Sequence, residues 1–253
     1  MVSTLQRRVN TSLRKYDLPE ILAAVASVRI IVGASEDRYD GWIATDKTVL
    51  DLLQEADWAY YFTSNPIDAI LAEHVWEHLD CEGAIIAAQN CFTHLKPGGY
   101  IRVAVPDGLH PDEDYIDRVR PGGSGLGSDD HHVLYTYRTL QTVFESVGFQ
   151  VTLLEYFDER GTFHEEEWSP ADGMITRSAR FDSRNFAGDL RYTSIILDAR
   201  KAESSERTSE QQVAGDQDDG WRMSSKIEWP SSRGRQAIRE WSTALLRGFS
   251  SLV

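Results

Sequence analysis

Residues 67–107 constrain this chain more than any other stretch. The apolar run at 67–71 reads as a buried parallel strand, and a helical run follows it. That helix closes over 90–95, and Pro97-Gly98-Gly99 then reads as a tight stop. Pro cannot continue a helix, and Gly accepts positive φ. Residues 100–105 are β-rich and end at Pro106. Strand, helix, turn and strand within about forty residues make a βαβ unit with a right-handed connection. Ligands of open parallel sheets sit beyond the carboxyl ends of the strands. That rule puts Glu73, His74, Glu77, His78, Pro106 and Asp107 on the functional rim.

The rest of the chain extends the same pattern. The β-branched run 28–32 is the natural first strand and stops at Gly33. A glycine there lets the backbone approach a ligand. Residues 42–45 read as a second strand followed by Asp46, whose carboxylate can accept hydrogen bonds from both ribose hydroxyls. A helix is expected over 48–53, and a strand or loop over the aromatic run 57–62, where Trp58 either stacks on a base or packs in the core. Further on, 114–119 reads as a short helix and the glycine-rich 121–127 as a mobile connector able to cover a site. Asp129 and Asp130 read as capping carboxylates for a helix over 133–147, which is a simpler role for them than a metal site with His131 and His132. Two late strands are expected at 149–157 and 192–199. The long connection between them carries Arg177, Arg180 and Arg184, which either grip an anionic substrate group or pair with Asp172, Asp182 and Asp189.

A strand running into EHVWEHL, followed by LKPGGYIRVAVPD, resembles the middle of a class I S-adenosylmethionine-dependent methyltransferase, where the LKPGG turn precedes the fifth strand. Gly41-Trp42-Ile43 with Asp46, and later DHH, LLEYFDE and YTSIILDA, resemble one compact branch of predicted methyltransferases of undefined substrate. The resemblance covers about residues 18–201. It implies an α/β fold: a Rossmann-like, mostly parallel sheet with helices on both faces and an antiparallel last strand inserted between the fifth and sixth. It also implies S-adenosyl-L-methionine as cofactor, with Gly33, Ala34, Ser35, Asp46, Glu73 and His74 around it. Candidate bases are His78, His131 and His132, and candidate substrate contacts are Asp107, Arg177, Arg180 and Arg184. The chain departs from the family where the usual G-x-G-x-G loop is reduced to Gly33, Ala34 and Ser35. The expected reaction is methyl transfer to a small-molecule or protein acceptor. Its alternative is a non-catalytic methyltransferase-like binding module with a degenerate donor loop. A third reading takes His74-Val75-Trp76-Glu77-His78 as the inverted zinc-protease signature H-x-x-E-H. That signature needs a long helix, whereas here a strand immediately precedes it, so no metal site is expected.

Charge and composition narrow the partners. A formal charge of −14 repels phosphate backbones, so nucleic acid is not an expected substrate. No apolar run approaches the roughly 18 residues of a membrane span. There is no signal-peptide pattern and only Cys81 and Cys91 are present, so a reducing, cytoplasmic setting is expected. The expected plan is an N-terminal arm and helix (1–27), the methyltransferase-like domain (28–201), a disordered acidic linker (202–233) and an amphipathic helix (234–253). In the last, Ile238, Trp241, Leu245, Leu246, Phe249 and Leu252 oppose Arg235, Arg239 and Arg247. Such a helix suits docking on its own domain or on a partner.

Overall fold

The computed structural model describes residues 17–186 and 188–203. The expected arm over 2–16, the linker from 204 onward and the amphipathic tail lie outside the described residues. The described chain runs α1 (Leu18–Ala24), β1 (Arg29–Ile31), β2 (Ile43–Ala44), α2 (Glu55–Phe62), β3 (Ile67–Glu73) and α3 (Cys81–His94). It continues through β4 (Leu95–Pro106), α4 (Glu113–Val119), α5 (Tyr137–Ser146), β5 (Gln150–Phe157), β6 (Phe163–Glu165) and β7 (Ser194–Arg200). The strands form one seven-stranded sheet in the order β2-β1-β3-β4-β7-β5-β6. Pairing is parallel from β2 through β4. It turns antiparallel where β7 lies between β4 and β5. This is the class I methyltransferase arrangement that the resemblance implies. No helix among the described residues is long and apolar enough to cross a membrane.

Alternation along the strands divides the core into two faces. Ile30, Ile70, Ile101, Val103 and Val105 point to one side, where Leu18, Trp58, Ala87 and Phe144 bring α1, α2, α3 and α5 against them. Ile31, Leu71 and Ala104 point to the other. That second face is covered by Trp42, Trp168 and Ile175, the last two from the long 158–191 excursion. Arg102 anchors the excursion: it is buried on β4, pairs bidentately with Asp198, and donates to the carbonyls of Ser169 and Gly173 at 2.9 and 2.8 Å. Its guanidinium also lies 5.0 Å from the Trp168 ring centroid.

Four local expectations are corrected. Residues 48–53 form turns, because Asp46 Oδ1 takes the Thr48 N–H and Asp51 Oδ1 takes the Leu53 N–H, drawing the backbone away from a helical ladder. The aromatic run is helical, since Trp58, Tyr61 and Phe62 are buried at the i, i+3, i+4 spacing of a helix face. Pro97-Gly98-Gly99 lies inside β4 as a register shift, with Gly98 at φ +77°. A Cβ on Gly99 would stand 2.9 Å from the Lys96 carbonyl oxygen. The helix expected at 133 starts at Tyr137, with a Thr136–Thr139 capping box in place of Asp129 and Asp130. Residues 131–135 stay out of the helix because the Glu77 carbonyl takes the N–H of His132 and of Val133, and the Tyr135 carbonyl takes that of Gly108.

Candidate active site

The carboxyl ends of β1 and β3 lie side by side, with Val32 N donating to Leu71 O at 2.9 Å. Both chains then turn sharply, because Gly33 (φ +62°), Ser35 (φ +46°) and His74 (φ +55°) adopt left-handed backbone conformations. For Ser35 and His74 this conformation is strained, and such strain clusters where a structure serves a ligand. Two cavities open at this crevice, sharing Gly33, His74 and His78. One, of about 370 Å³, has walls of Leu50, Leu52, Leu53, Val75 and Leu79 with Lys47 and Asp51 at hand. The other, of about 390 Å³, is polar, with Asp37, Glu73, Glu77, Arg118, His131 and Arg177 among its walls. Burial and then the Glu73 charge raise the Asp37 carboxyl above its usual range.

His74 is held through its Nε2. Ser194 Oγ donates to Arg177 O at 2.8 Å, so it accepts from His74 Nε2–H at 3.0 Å. That leaves Nδ1 facing Glu77 Oε1, 3.0 Å away. Glu73 lines the polar cavity, but its oxygens are already engaged. They accept from the Thr176 N–H and hydroxyl and from the Arg177 N–H at 3.0, 2.7 and 2.8 Å, tying the long excursion down to the end of β3.

The sequence-derived site residues are only partly brought together. Gly33, Ser35, Glu73, His74, His78, His131, Arg177 and Arg184 line the polar cavity. Ala34 is 2% exposed and packs in the core, with its N–H on the Thr45 carbonyl. Asp46 lines neither cavity, and its Oδ1 accepts from the Thr48 hydroxyl at 2.6 Å. Asp107 is fully buried, its two oxygens taken by the N–H groups of Leu109 and Phe157, so it ties the end of β4 to β5 and lines neither of these cavities. His132 is exposed and apart from both cavities. Arg180 lies over the rings of Trp168 and Phe181, away from both. Arg184 is paired bidentately with Asp182 and stacked on Tyr192. Lys47, Asp51, Arg118 and Asp37 were not anticipated. The first two lie in the turns that follow β2, the region from which a sheet of this type reaches a nucleoside.

A parallel sheet with an antiparallel seventh strand, and a crevice at the strand ends, defines the class I methyltransferase type of α/β protein. A methyltransferase-domain family model matches residues 5–154, more than half of the chain. The chain therefore belongs to that family and is an enzyme of the methyltransferase class. No curated protein matches it in sequence. Among solved structures it is similar to an S-adenosylmethionine-dependent methyltransferase from Archaeoglobus fulgidus, at 14% identity and a TM-score of 0.40 over 74% of this chain and 92% of that one. An O-methyltransferase family protein from Burkholderia thailandensis aligns at 10% identity and a TM-score of 0.42, over 75% and 55% of the two chains. A methyltransferase from Mesorhizobium loti aligns at 15% and 0.38, over 72% and 96%.

Proposed function

We propose that this chain moves the methyl group of S-adenosylmethionine to a small-molecule or protein acceptor, with the donor in the apolar cavity and the acceptor in the polar one. The observation that carries the reading is the pairing of two cavities of different character at a shared rim of Gly33, His74 and His78. An adenosine ring suits walls of Leu50, Leu52 and Val75, whereas an acceptor with polar groups suits the ring of carboxylates, arginines and imidazoles next door. In this reading Gly33 and Ser35 follow the donor chain. Asp51, which lines the apolar cavity, offers a carboxylate to a ribose hydroxyl, whereas Asp46 lies outside both cavities with its Oδ1 held by Thr48. Methyl transfer is an in-line displacement at a sulfonium carbon, so the protein chiefly aligns the two reactants and excludes water. Arg177 stands where it meets an anionic part of the acceptor. His78 and His131 are the imidazoles within reach of an acceptor proton, and exposed His132 is not.

One observation favours a non-catalytic binding module. Val75 covers the face of Gly33 where a ligand's phosphate or sugar approaches in glycine-rich loops: its Cγ2 lies 2.6 Å from where a Cβ would stand. Calorimetry separates the two readings. Titration of the full chain with S-adenosylmethionine and with its demethylated product is expected to show one equivalent of each. A Leu52→Asp substitution in the apolar cavity is expected to weaken both by at least about tenfold, roughly 1.4 kcal/mol. No heat from either compound establishes the binding-module reading.

A further inference from the structure

The wall of the polar cavity holds a constellation that displacement at a sulfonium does not itself require. Glu77 is completely buried, and neither of its carboxylate oxygens makes a hydrogen bond. His74 Nδ1 is close to Oε1 at 3.0 Å, but outside hydrogen-bond geometry. A buried carboxylate left without donors is costly, and in a native fold it calls for a partner. His78 and His131 stand beside it, with their rings edge to face at 4.8 Å between centroids. Each has its Nδ1 committed to a backbone carbonyl, that of Asp130 at 3.2 Å and that of Val119 at 2.7 Å. A carbonyl only accepts, so both Nδ1 atoms carry protons, and in the neutral imidazole each Nε2 is a lone pair. One ligating atom each from Glu77, His78 and His131 lie within 4.8 Å of one another.

We propose that Glu77, His78 and His131 bind one divalent first-row transition-metal ion at the wall of the polar cavity. Two neutral imidazoles and one carboxylate are the donor set of borderline ions such as Zn²⁺ and Fe²⁺, whereas Mg²⁺ and Ca²⁺ prefer oxygen alone. Ligands about 2.0–2.1 Å from an ion span at most about 4.2 Å, so rotamer-scale adjustment closes this set around one. The carbonyl behind each imidazole is the outer support that fixes tautomer and ring direction in metal-bound histidines. The scaffold is preset: the Glu77 carbonyl accepts from His132 N at 2.7 Å and from Val133 N at 3.3 Å, stapling the segment that carries His131 to the turn that carries Glu77 and His78. Three arginines line this cavity: Arg184 is neutralised by Asp182 and Arg177 lies 3.5 Å from Glu73, which mutes their repulsion of a cation, and Arg118 is the cationic neighbour that the Glu77 carboxylate has to offset. The site differs from the expectation of no metal, and also from the protease signature. His74, which that signature would use, turns to Ser194 and Glu77 instead.

Three protein ligands leave coordination positions open toward the cavity. On the methyltransferase reading, an acceptor oxygen or sulfur takes one of them, which restricts acceptors to hydroxyl, carboxylate or thiol compounds and makes His78 and His131 ligands instead of bases. That consequence rests on the proposed function; the ion site itself does not. The test uses the full chain, stripped with a chelator and dialysed. Titration with Co²⁺ is expected to give visible d–d absorption that saturates at one equivalent. Zn²⁺ in competition with a chromophoric chelator is expected to bind at one equivalent, with Mg²⁺ unable to displace it. His78→Ala and His131→Ala, both at partly exposed positions, are each expected to weaken Zn²⁺ by at least about tenfold. Their metal-free unfolding midpoints should match the wild type, and His132→Ala should bind as the wild type does. Stoichiometry far below one, a preference for Mg²⁺, or Zn²⁺ affinity indifferent to both substitutions overturns the site. Calorimetry with the demethylated donor on metal-free protein is the separate control. Donor heat without metal binding sinks the metal site alone. Metal binding without donor heat keeps the site and sinks the methyltransferase reading with its acceptor consequence.

Discussion

Asp107 is a fully buried carboxyl whose donors among the described residues are two backbone N–H groups, and burial pushes its pKa up from 3.8 to about 6. An acid raised in the folded state binds more protons there than in the unfolded chain between about pH 4 and 6. Its contribution to stability is therefore present at low pH and lost as pH rises through that window. A shift of about two units corresponds to roughly 3 kcal/mol. We expect the wild-type minus Asp107→Asn difference in unfolding free energy to fall by about that amount between about pH 4 and pH 7, measured by denaturant titration. A difference that does not vary with pH would show that this group is not the source. Gly33 supports a second prediction at this scale. Its φ of +62° costs an alanine about 1–2 kcal/mol, and the new Cβ meets Val75 Cγ2 at 2.6 Å. Gly33→Ala is expected to destabilise by about 2–3 kcal/mol. Adding Val75→Ala should return the steric share and leave the backbone share, a coupling of at least about 1 kcal/mol in a double-mutant cycle. Additive single effects would refute the contact. Gly33, Ser35, His74 and His78 are legible in the sequence because strand ends and turns have local signatures. Glu77 is legible as a rim residue, but its grouping with His131, more than fifty residues away, is not, because only the fold brings the two together.

At the scale of elements, the 158–191 excursion takes the place that a helix commonly fills, covering one face of the sheet with Trp168 and Ile175. Arg102 holds it there through two carbonyls and a ring, with Asp198 neutralising the charge. Arg102→Ala leaves the partly buried Asp198 without its cation and frees the carbonyls of Ser169 and Gly173. A loss of about 3–5 kcal/mol is expected, the range for breaking a buried pair from one side. Amide exchange should rise across 168–176 before it rises in β1 or β3. Uniform acceleration throughout the sheet would mean that Arg102 supports the core instead of the excursion. The sheet itself is readable from sequence, because its central strands are continuous apolar runs, several of them bounded by glycine or proline. The aromatic run of α2 and the turns at 48–53 are not, for two different reasons. Aromatic side chains favour strands locally until the helix period of their burial decides, and aspartates capture nearby N–H groups through contacts that periodicity does not register.

At the scale of the whole molecule, the end of β7 decides where the fold can be cut. β7 pairs with both β4 and β5 and so joins the parallel half of the sheet to the antiparallel half. The residue after it completes the join. Lys201 N donates to Gly99 O at 2.8 Å, and its carbonyl accepts from Gly98 N at 2.8 Å. Its Nζ donates to the carbonyls of Phe92 and Leu95, both at 2.7 Å, so one side chain caps the end of α3 and steadies the entry to β4. These contacts lie within a compact unit that ends at Ala202. A chain ending after Glu203 is therefore expected to unfold in one cooperative transition with a midpoint within a few degrees of the full chain. One ending after Asp198 loses the last β7 pairs, at Ala199 and Arg200, together with the Lys201 cap, and should show a broadened, early transition. Calorimetric scans of both chains give the answer. Equal midpoints for the two truncations would mean that the Lys201 cap carries no stability, and a collapsed transition in the longer one would mean that the unit needs residues beyond Glu203.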